Sequence, residues 1–249
     1  MKSGKVFLVG AGPGDPGLIT VKGLTCLKQA DVVVYDRLVD ESILQETRSD
    51  AEKIYVGKAS NHHTLEQGTI NDLLIQKARE GKVVVRLKGG DPFVLGRGGE
   101  EAMALAEKGV PFEVVPGVSS AVAVPAYAGI PVTHRGVASS VTIITGHKAI
   151  ERSESDIAWD KLSTGTDTLV ILMGIGNLDF VVEQLIRNHR PSSTPVAVIT
   201  QGTTGDQRCV IGTLEDIVAR VKSENLQPPS VVVVGEVVQL RKCLRWFDK

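Results

Sequence analysis

The sequence predicts two α/β domains, the first built on a parallel sheet and the second on a mixed one. Three observations carry this. Short apolar runs alternate with segments of helical periodicity as far as residue 115, the rhythm of repeated strand-helix-strand units. A second set of strand-like runs follows Gly129-Ile130-Pro131. Within that set, runs 195–200 and 208–211 have only a turn between them, which implies an antiparallel hairpin. At 249 residues the chain is long enough for two apolar cores, and the expected boundary lies at Pro116, giving domains 1–116 and 117–249.

In the first domain the strands are expected at 6–9, 32–35, 53–56, 83–87 and 112–115. Helices are expected at 20–30, 41–47, 66–80 and 99–108, the last two closed by Gly81 and Gly109 as C-cap glycines. An apolar helix at 119–128 leads into the second set of strands, at 141–145, 168–173, 195–200, 208–211 and 231–234. Helices at 178–188 and 214–223 separate some of these. Thr213 opens the latter as N-cap, with Asp216 three residues on.

Composition narrows the function. A net charge of -1 and a pI of about 6.5 leave no basic field for nucleic acid. The longest apolar stretch, 121–132, is broken by Pro125 and Pro131 and falls short of the roughly 20 residues that span a bilayer. The N-terminus turns glycine-rich too early for a signal peptide, so a soluble cytoplasmic protein is expected. Cys26, Cys209 and Cys243 are odd in number and far apart, which indicates neither a disulfide framework nor a zinc site.

Two glycine-rich loops follow predicted strands. GGDPFVLGRGGEE at 89–101 stands at the carboxyl end of the 83–87 run, where ligands bind in an open α/β sheet. Gly89 and Gly90 let backbone approach a ligand, Asp91 can accept hydrogen bonds, and Pro92 stiffens the exit. GAGPGDPG at 10–17 follows the first strand, and Asp36 ends the second at about the distance of a dinucleotide fingerprint. The match is imperfect: Asp15 stands where glycine is wanted, and Pro13 and Pro16 remove donors that would cradle phosphate. Such a pair of loops suits a cationic or zwitterionic ligand better.

VGAGPGDPGLIT (9–20), YDRLV (35–39), GGDPFVLGRGGEE (89–101) and PGVSSAVAVPAYAGIPVTHRG (116–136) occur in this order, and on them the chain resembles the tetrapyrrole methyltransferase family. The similarity runs on to GEVVQLR at 235–241. AGIPVTHRG, YDRLV and the pattern of Gly57-Lys58, His62 or His63, Gln67 and Ile70-Asn71 narrow it to the branch that methylates uroporphyrinogen III. A methylase of a later precorrin or of diphthine is the alternative within the family, and a nucleotide-sensing or NAD-binding module the alternative outside it.

The resemblance implies a fold distinct from the Rossmann methyltransferases, with S-adenosylmethionine bound in a cleft between the domains and no metal. It places Pro13, Gly89, Gly90, Asp91, Val94, Ser119, Ser120, Met173 and Gly202 at the cofactor, Asp36 as proton acceptor and Lys58 as proton donor. Asp91 would meet the ammonium or ribose, Ser119 and Ser120 the carboxylate from a helix N-terminus, and Met173 the adenine. The plain structural readings are an N-cap pair for the serines, a buried strand terminus for Met173 and core for Val94. The implied reaction methylates C2 and C7 of uroporphyrinogen III to precorrin-2, in sirohaem, cobalamin or haem d1 synthesis, by a homodimer. Arg37, Arg97, His134 and Arg135 are the cations expected to meet the substrate carboxylates. The chain departs from the common pattern at Ala59, where many relatives have arginine, and at Leu95, where phenylalanine is usual.

Overall fold

The computed structural model describes residues 4–57, 67–146 and 157–247. The chain divides into two compact units, Met1–Ser119 and Ser120–Lys249. The first contains β1 (Lys5–Gly10), α1 (Val21–Gln29), β2 (Val32–Tyr35), β3 (Glu52–Tyr55), α2 (Gln67–Arg79), β4 (Val83–Lys88), α3 (Gly98–Glu107) and β5 (Phe112–Val115). All its strands are parallel, in the order β3-β2-β4-β1-β5.

The two-residue period of the strands sorts their side chains between two cores. Val6, Leu8, Val32, Val34 and Val84 face α2 and α3, where Ile70, Leu74, Ile75, Ala102 and Leu105 cover them. Val9, Val33, Val85 and Leu87 face the other way, onto Cys26 and Leu27 of α1 and onto Ile43 and Leu44. Valine triplets such as Val32-Val33-Val34 are therefore buried on both faces, as central parallel strands require. Because α1 and α3 lie on opposite faces, the loops leaving the adjacent strands β1 and β4 diverge. That divergence is the switch point at which open parallel sheets bind ligands.

The helix ends follow the expected chemistry. Thr20 caps α1 by accepting the Gly23 N–H at 3.0 Å, and Gly81 and Gly109, both at positive φ, close α2 and α3. Residues 41–47 form a 3-10 helix, Glu41–Glu46, in place of an α-helix. Asp40 accepts the Ser42 N–H and the Thr47 hydroxyl donates to the Leu44 carbonyl, and so short a segment cannot outbid these local bonds.

The second unit contains α4 (Ser120–Tyr127), β6 (Val141–Thr145), α5 (Trp159–Gly165), β7 (Thr168–Leu172), α6 (Leu178–Arg187), β8 (Pro195–Thr200), β9 (Arg208–Thr213), α7 (Ile217–Ser223), β10 (Ser230–Val234) and α8 (Arg241–Leu244). Its sheet, β6-β7-β10-β8-β9, is mixed: β6 pairs parallel with β7, and every other pair is antiparallel, the β8–β9 hairpin included. One face is covered by α5, α6 and α7 through Trp159, Val181, Leu185, Ile217 and Val221. α4 packs against β7 and β10. The expected Thr213 cap is inverted: its N–H donates to Asp216 Oδ1 at 2.8 Å, β9 runs on to Thr213, and α7 begins only at Ile217.

Leu105 is fully buried against Leu74 and Val84. Leu105→Ala is expected to lower unfolding stability by about 2–5 kcal/mol, read from the urea midpoint at constant slope. On β5, Glu113 is paired with Lys5 at 2.6 Å and with Lys22, and these two ammonium groups pull its carboxyl down to about 2. A carboxyl depressed on folding stabilises above its unfolded value near 4.5 and loses that contribution as pH falls toward 2. Glu113→Gln should therefore flatten the acid side of the stability profile between those limits at low salt, checked by thermal melts at stepped pH.

Candidate active site

Three strand-end loops of the first unit meet through backbone alone. Gly12 and Gly90 exchange N–H···O bonds at 3.2 and 2.6 Å, and the Ala11 N–H donates to the Lys88 carbonyl at 2.8 Å. A Cβ built on Gly10 would lie 2.5 Å from the Gly90 carbonyl oxygen and 2.6 Å from Gly117 Cα, and one on Gly117 would meet the same carbonyl. The loops after β1, β4 and β5 thus share a junction that only glycine can form. Pro13, Gly89, Gly90 and Asp91 all stand at this junction, and Leu38, from the loop after β2, covers Gly89.

Asp91 holds the junction from within. Its Oδ1 accepts the N–H groups of Phe93 and Val94 at 2.8 and 3.2 Å, and its Oδ2 accepts that of Gly117 at 3.0 Å. Both oxygens bind backbone, so the carboxylate sets the course of two loops rather than presenting itself bare to an ammonium group. Asp15 likewise caps its own turn by accepting the Gly17 N–H at 2.7 Å. Around the junction, apolar side chains stand in the open: Leu38, Phe93 and Leu95 are all exposed. Exposed apolar groups at a sheet's carboxyl edge are what a ligand's own apolar surface can cover.

Backbone strain marks strand-end loops in each unit. Leu95 and Arg97 after β4, Met173 after β7, and Gln201 and Thr203 after β8 have positive φ without being glycine. Such residues cost free energy and cluster at ligand clamps. His189 and Asn225, the others among the described residues, only close α6 and α7. In the second unit, β7 and β8 run the same way, so Met173 and Gly202 leave that sheet at one end. Gly202 is buried against Val124 of α4, the helix that Ser120 begins, and Met173 is half exposed. Val94 is half buried in the loop after β4, and Ser119 lies in the segment after β5.

Asp36 follows β2 directly, beside the end of β4. Its Oδ2 accepts from Arg86 Nη2 at 3.1 Å, and its Oδ1 is buried without a partner. Arg86 then reaches Glu101 of α3 through Nε at 3.1 Å and the carbonyls of Val34 and Leu87 through Nη1. Lys88 Nζ and Gln67 Nε2 also donate to Glu101 Oε1, at 3.1 and 3.2 Å. Arg86, Lys88 and Glu101 are all buried, and burial, with Arg86 beside it, holds the Lys88 ammonium below its ordinary value. The sequence reading missed these three. A signal was present: Arg86 and Lys88 continue, at the two-residue period, the inward face begun by Val84, and inward cations require a buried anion.

The expected substrate cations differ among themselves. Arg37 is exposed after β2. Arg97 is bound to Glu100 in a two-point pair at 2.7 and 3.0 Å, the local pairing that its neighbours allow. His134 and Arg135 are exposed in a tight turn in which His134 and Ala138 exchange backbone bonds of 2.9 Å. Lys58, Ala59, His62 and His63 lie outside the described residues.

Residues 5–218 match the sequence family of tetrapyrrole (corrin/porphyrin) methylases. A uroporphyrinogen-III C-methyltransferase of Methanocaldococcus jannaschii is 56% identical, with 96% of this chain and 98% of that protein aligned. A siroheme synthase of Pseudomonas putida is 52% identical over 99% of this chain, which spans only 53% of that longer protein. Among solved structures, the uroporphyrin-III C-methyl transferase of Thermus thermophilus complexed with S-adenyl homocysteine superimposes with a TM-score of 0.81 at 40% identity, covering 95% of this chain and 94% of that one. With a glycine junction at the carboxyl edge of its first sheet and these likenesses along nearly its whole length, the chain belongs to the tetrapyrrole methylase family.

Proposed function

We propose that the protein methylates uroporphyrinogen III at C2 and C7 with S-adenosylmethionine, giving precorrin-2 and two molecules of S-adenosylhomocysteine. The observation that carries this reading is the placement of Asp36, with a partnerless buried oxygen, one strand away from the Gly12–Gly90 junction. The 56% identical relative bears the name of this activity, and the Thermus structure contains the demethylated product. The pathway is that of sirohaem, cobalamin or haem d1, and the siroheme synthase likeness favours the first.

The residues fit the donor. Acidic turns at Asp15 and Asp91, each satisfied by backbone N–H groups, leave no phosphate cradle. They suit a ligand that carries a sulfonium rather than a pyrophosphate. Pro13, Gly89, Gly90, Asp91, Val94 and Ser119 from the first unit, with Ser120, Met173 and Gly202 from the second, are the proposed cofactor contacts. When bound, S-adenosylmethionine supplies an electrophilic methyl group, so the protein's own task is alignment and proton handling. Asp36 accepts the proton that the methylated macrocycle must lose, and Lys58 is the proposed donor. Arg37, Arg97, His134 and Arg135 meet the substrate carboxylates, for which Arg97 exchanges its Glu100 pair.

We further infer a cytoplasmic homodimer acting on a small molecule, with neither nucleic acid nor membrane as partner. No helix among the described residues is long and apolar enough to cross a bilayer.

Two variants test the reading. Gly90→Val places a branched side chain at φ +69 in the junction, and should abolish S-adenosylhomocysteine binding measured by calorimetry in a protein that still melts cooperatively. Unchanged binding would remove the junction from the cofactor site. Asp36→Asn should leave that binding intact and reduce methyl transfer by about 10²–10⁴-fold, measured anaerobically as label moving from methyl-labelled S-adenosylmethionine to the tetrapyrrole. Tight product binding without transfer by the wild-type protein would keep the cofactor and redirect the substrate to a later precorrin.

A further inference from the structure

Among the described residues, two carboxylates each leave a buried oxygen without a partner: Asp36 at Oδ1 and Glu101 at Oε2. They are the two anions of one chain of charges, Asp36–Arg86–Glu101–Lys88, with links of 3.1 Å throughout. Side-chain exposure along it is 27% at Asp36, 4% at Arg86, 0% at Glu101 and 5% at Lys88. The chain therefore opens to its surroundings at Asp36 alone.

A buried ionic chain of this kind is a poor device for stability, since well-packed apolar residues of similar volume would serve as well or better. What it provides is orientation. The Arg86 guanidinium is gripped from three elements: by the Val34 carbonyl on β2, by the Leu87 carbonyl on β4, and by Glu101 on α3. A planar group so held offers its remaining Nη2–H in one direction, and Asp36 Oδ2 receives it. Gln67 and Lys88 in turn hold Glu101 at Oε1, so the carboxylate cannot swing away from Arg86.

We propose that Glu101 is a positioning residue for the reaction: through Arg86 it fixes the orientation of the Asp36 carboxylate, the partly exposed group that takes the proton. The inference rests on the reading of Asp36 as proton acceptor. In the step concerned, a C–H bond of the methylated macrocycle breaks, its electron pair returns to the ring system and cancels the positive charge, and an O–H bond forms on the Asp36 carboxylate. Arg86 stays protonated throughout, and Glu101 never touches the substrate.

The test is a double-mutant cycle for kcat in the labelled-methyl assay, with wild type, Glu101→Gln, Asp36→Asn and the double variant, together with the S-adenosylhomocysteine dissociation constant. Glu101→Gln should lower kcat by roughly tenfold or more through misplacement of Asp36, with cofactor binding and KM for S-adenosylmethionine within about twofold. In the Asp36→Asn background the same change should cost less than about twofold, because nothing remains to be positioned. If Glu101→Gln leaves two buried cations too poorly compensated to fold, Glu101→Gln/Lys88→Met removes one charge of each sign and replaces it in every arm. Wild-type kcat in the folded Glu101 variant, or an equal loss in both backgrounds, would overturn the inference while leaving Asp36 in place. Wild-type turnover by Asp36→Asn would instead remove the acceptor, and the inference with it.

Discussion

The rest of the first unit is arranged around a place where three backbones touch with no side chain between them. Gly10, Gly90 and Gly117 end or follow β1, β4 and β5, and a methyl group on Gly10 or Gly117 would collide with the Gly90 carbonyl. The close approach lets Gly12 and Gly90 exchange backbone bonds outside the regular sheet, and it brings Gly117 within reach of Asp91. Two loops that leave on opposite faces of the sheet are thereby tied to each other before they part. Glycine carries a conformational-entropy cost, so this junction needs a rigid base beneath it. The buried aliphatic side chains of β1, β2 and β4 provide that base, with Val6, Leu8, Val32, Val34, Val84 and Val85 all excluded from solvent.

On the α2–α3 side the same strands change from apolar to charged as they near the junction. Val84 gives way to Arg86 and Lys88, and Val34 to Asp36. Two cations and two anions leave the cluster neutral, which is the condition for burying it at all. Neutrality is not full satisfaction, since two carboxylate oxygens stay without partners and burial depresses the Lys88 ammonium. The contrast with the opposite end of β5 is informative. Lys5, Lys22 and Glu113 pair where water screens them, and their arrangement fixes no loop.

Much of this was legible in the sequence. Alternation of strand and helix patterns gave both sheets their elements, Gly81 and Gly109 marked helix ends, and the two glycine-acid loops marked the strand ends where the junction lies. What sequence could not resolve were the partners of polar groups. Asp91 and Asp15 read as ligand-facing carboxylates, yet each is engaged with backbone N–H groups, because a carboxylate beside glycine turns finds those donors nearest. Arg86 falls within the expected 83–87 strand and Lys88 just beyond it, and the anion they share is remote in sequence, since Glu101 lies on α3, beyond the intervening glycine loop. Thr213 and Asp216 had the right spacing for a cap and used it in the reverse sense, because β9 continues to Thr213 and α7 begins only at Ile217, so that Asp216 accepts the Thr213 N–H. Local pattern named the residues; near neighbours in sequence decided the bonds of Asp15 and Asp216, and tertiary contact those of Arg86 and Lys88.

The distribution of strain follows from the chemistry proposed. A sulfonium methyl group is already electrophilic, so transfer demands that donor and acceptor carbon be held in line more than that a side chain attack. A site for such a reaction is built best from backbone fixed in unusual conformations, because backbone anchored at both ends moves less than a long side chain. Positive φ at Leu95, Arg97, Met173, Gln201 and Thr203 is strain of that kind, stored in the loops after β4, β7 and β8. Asp36, the proposed proton acceptor, has its own buried support in Arg86 and Glu101. In the proposed reaction, alignment falls to glycine and strained backbone, and proton transfer to the charged group. A substitution in either can impair its own step and leave the other standing.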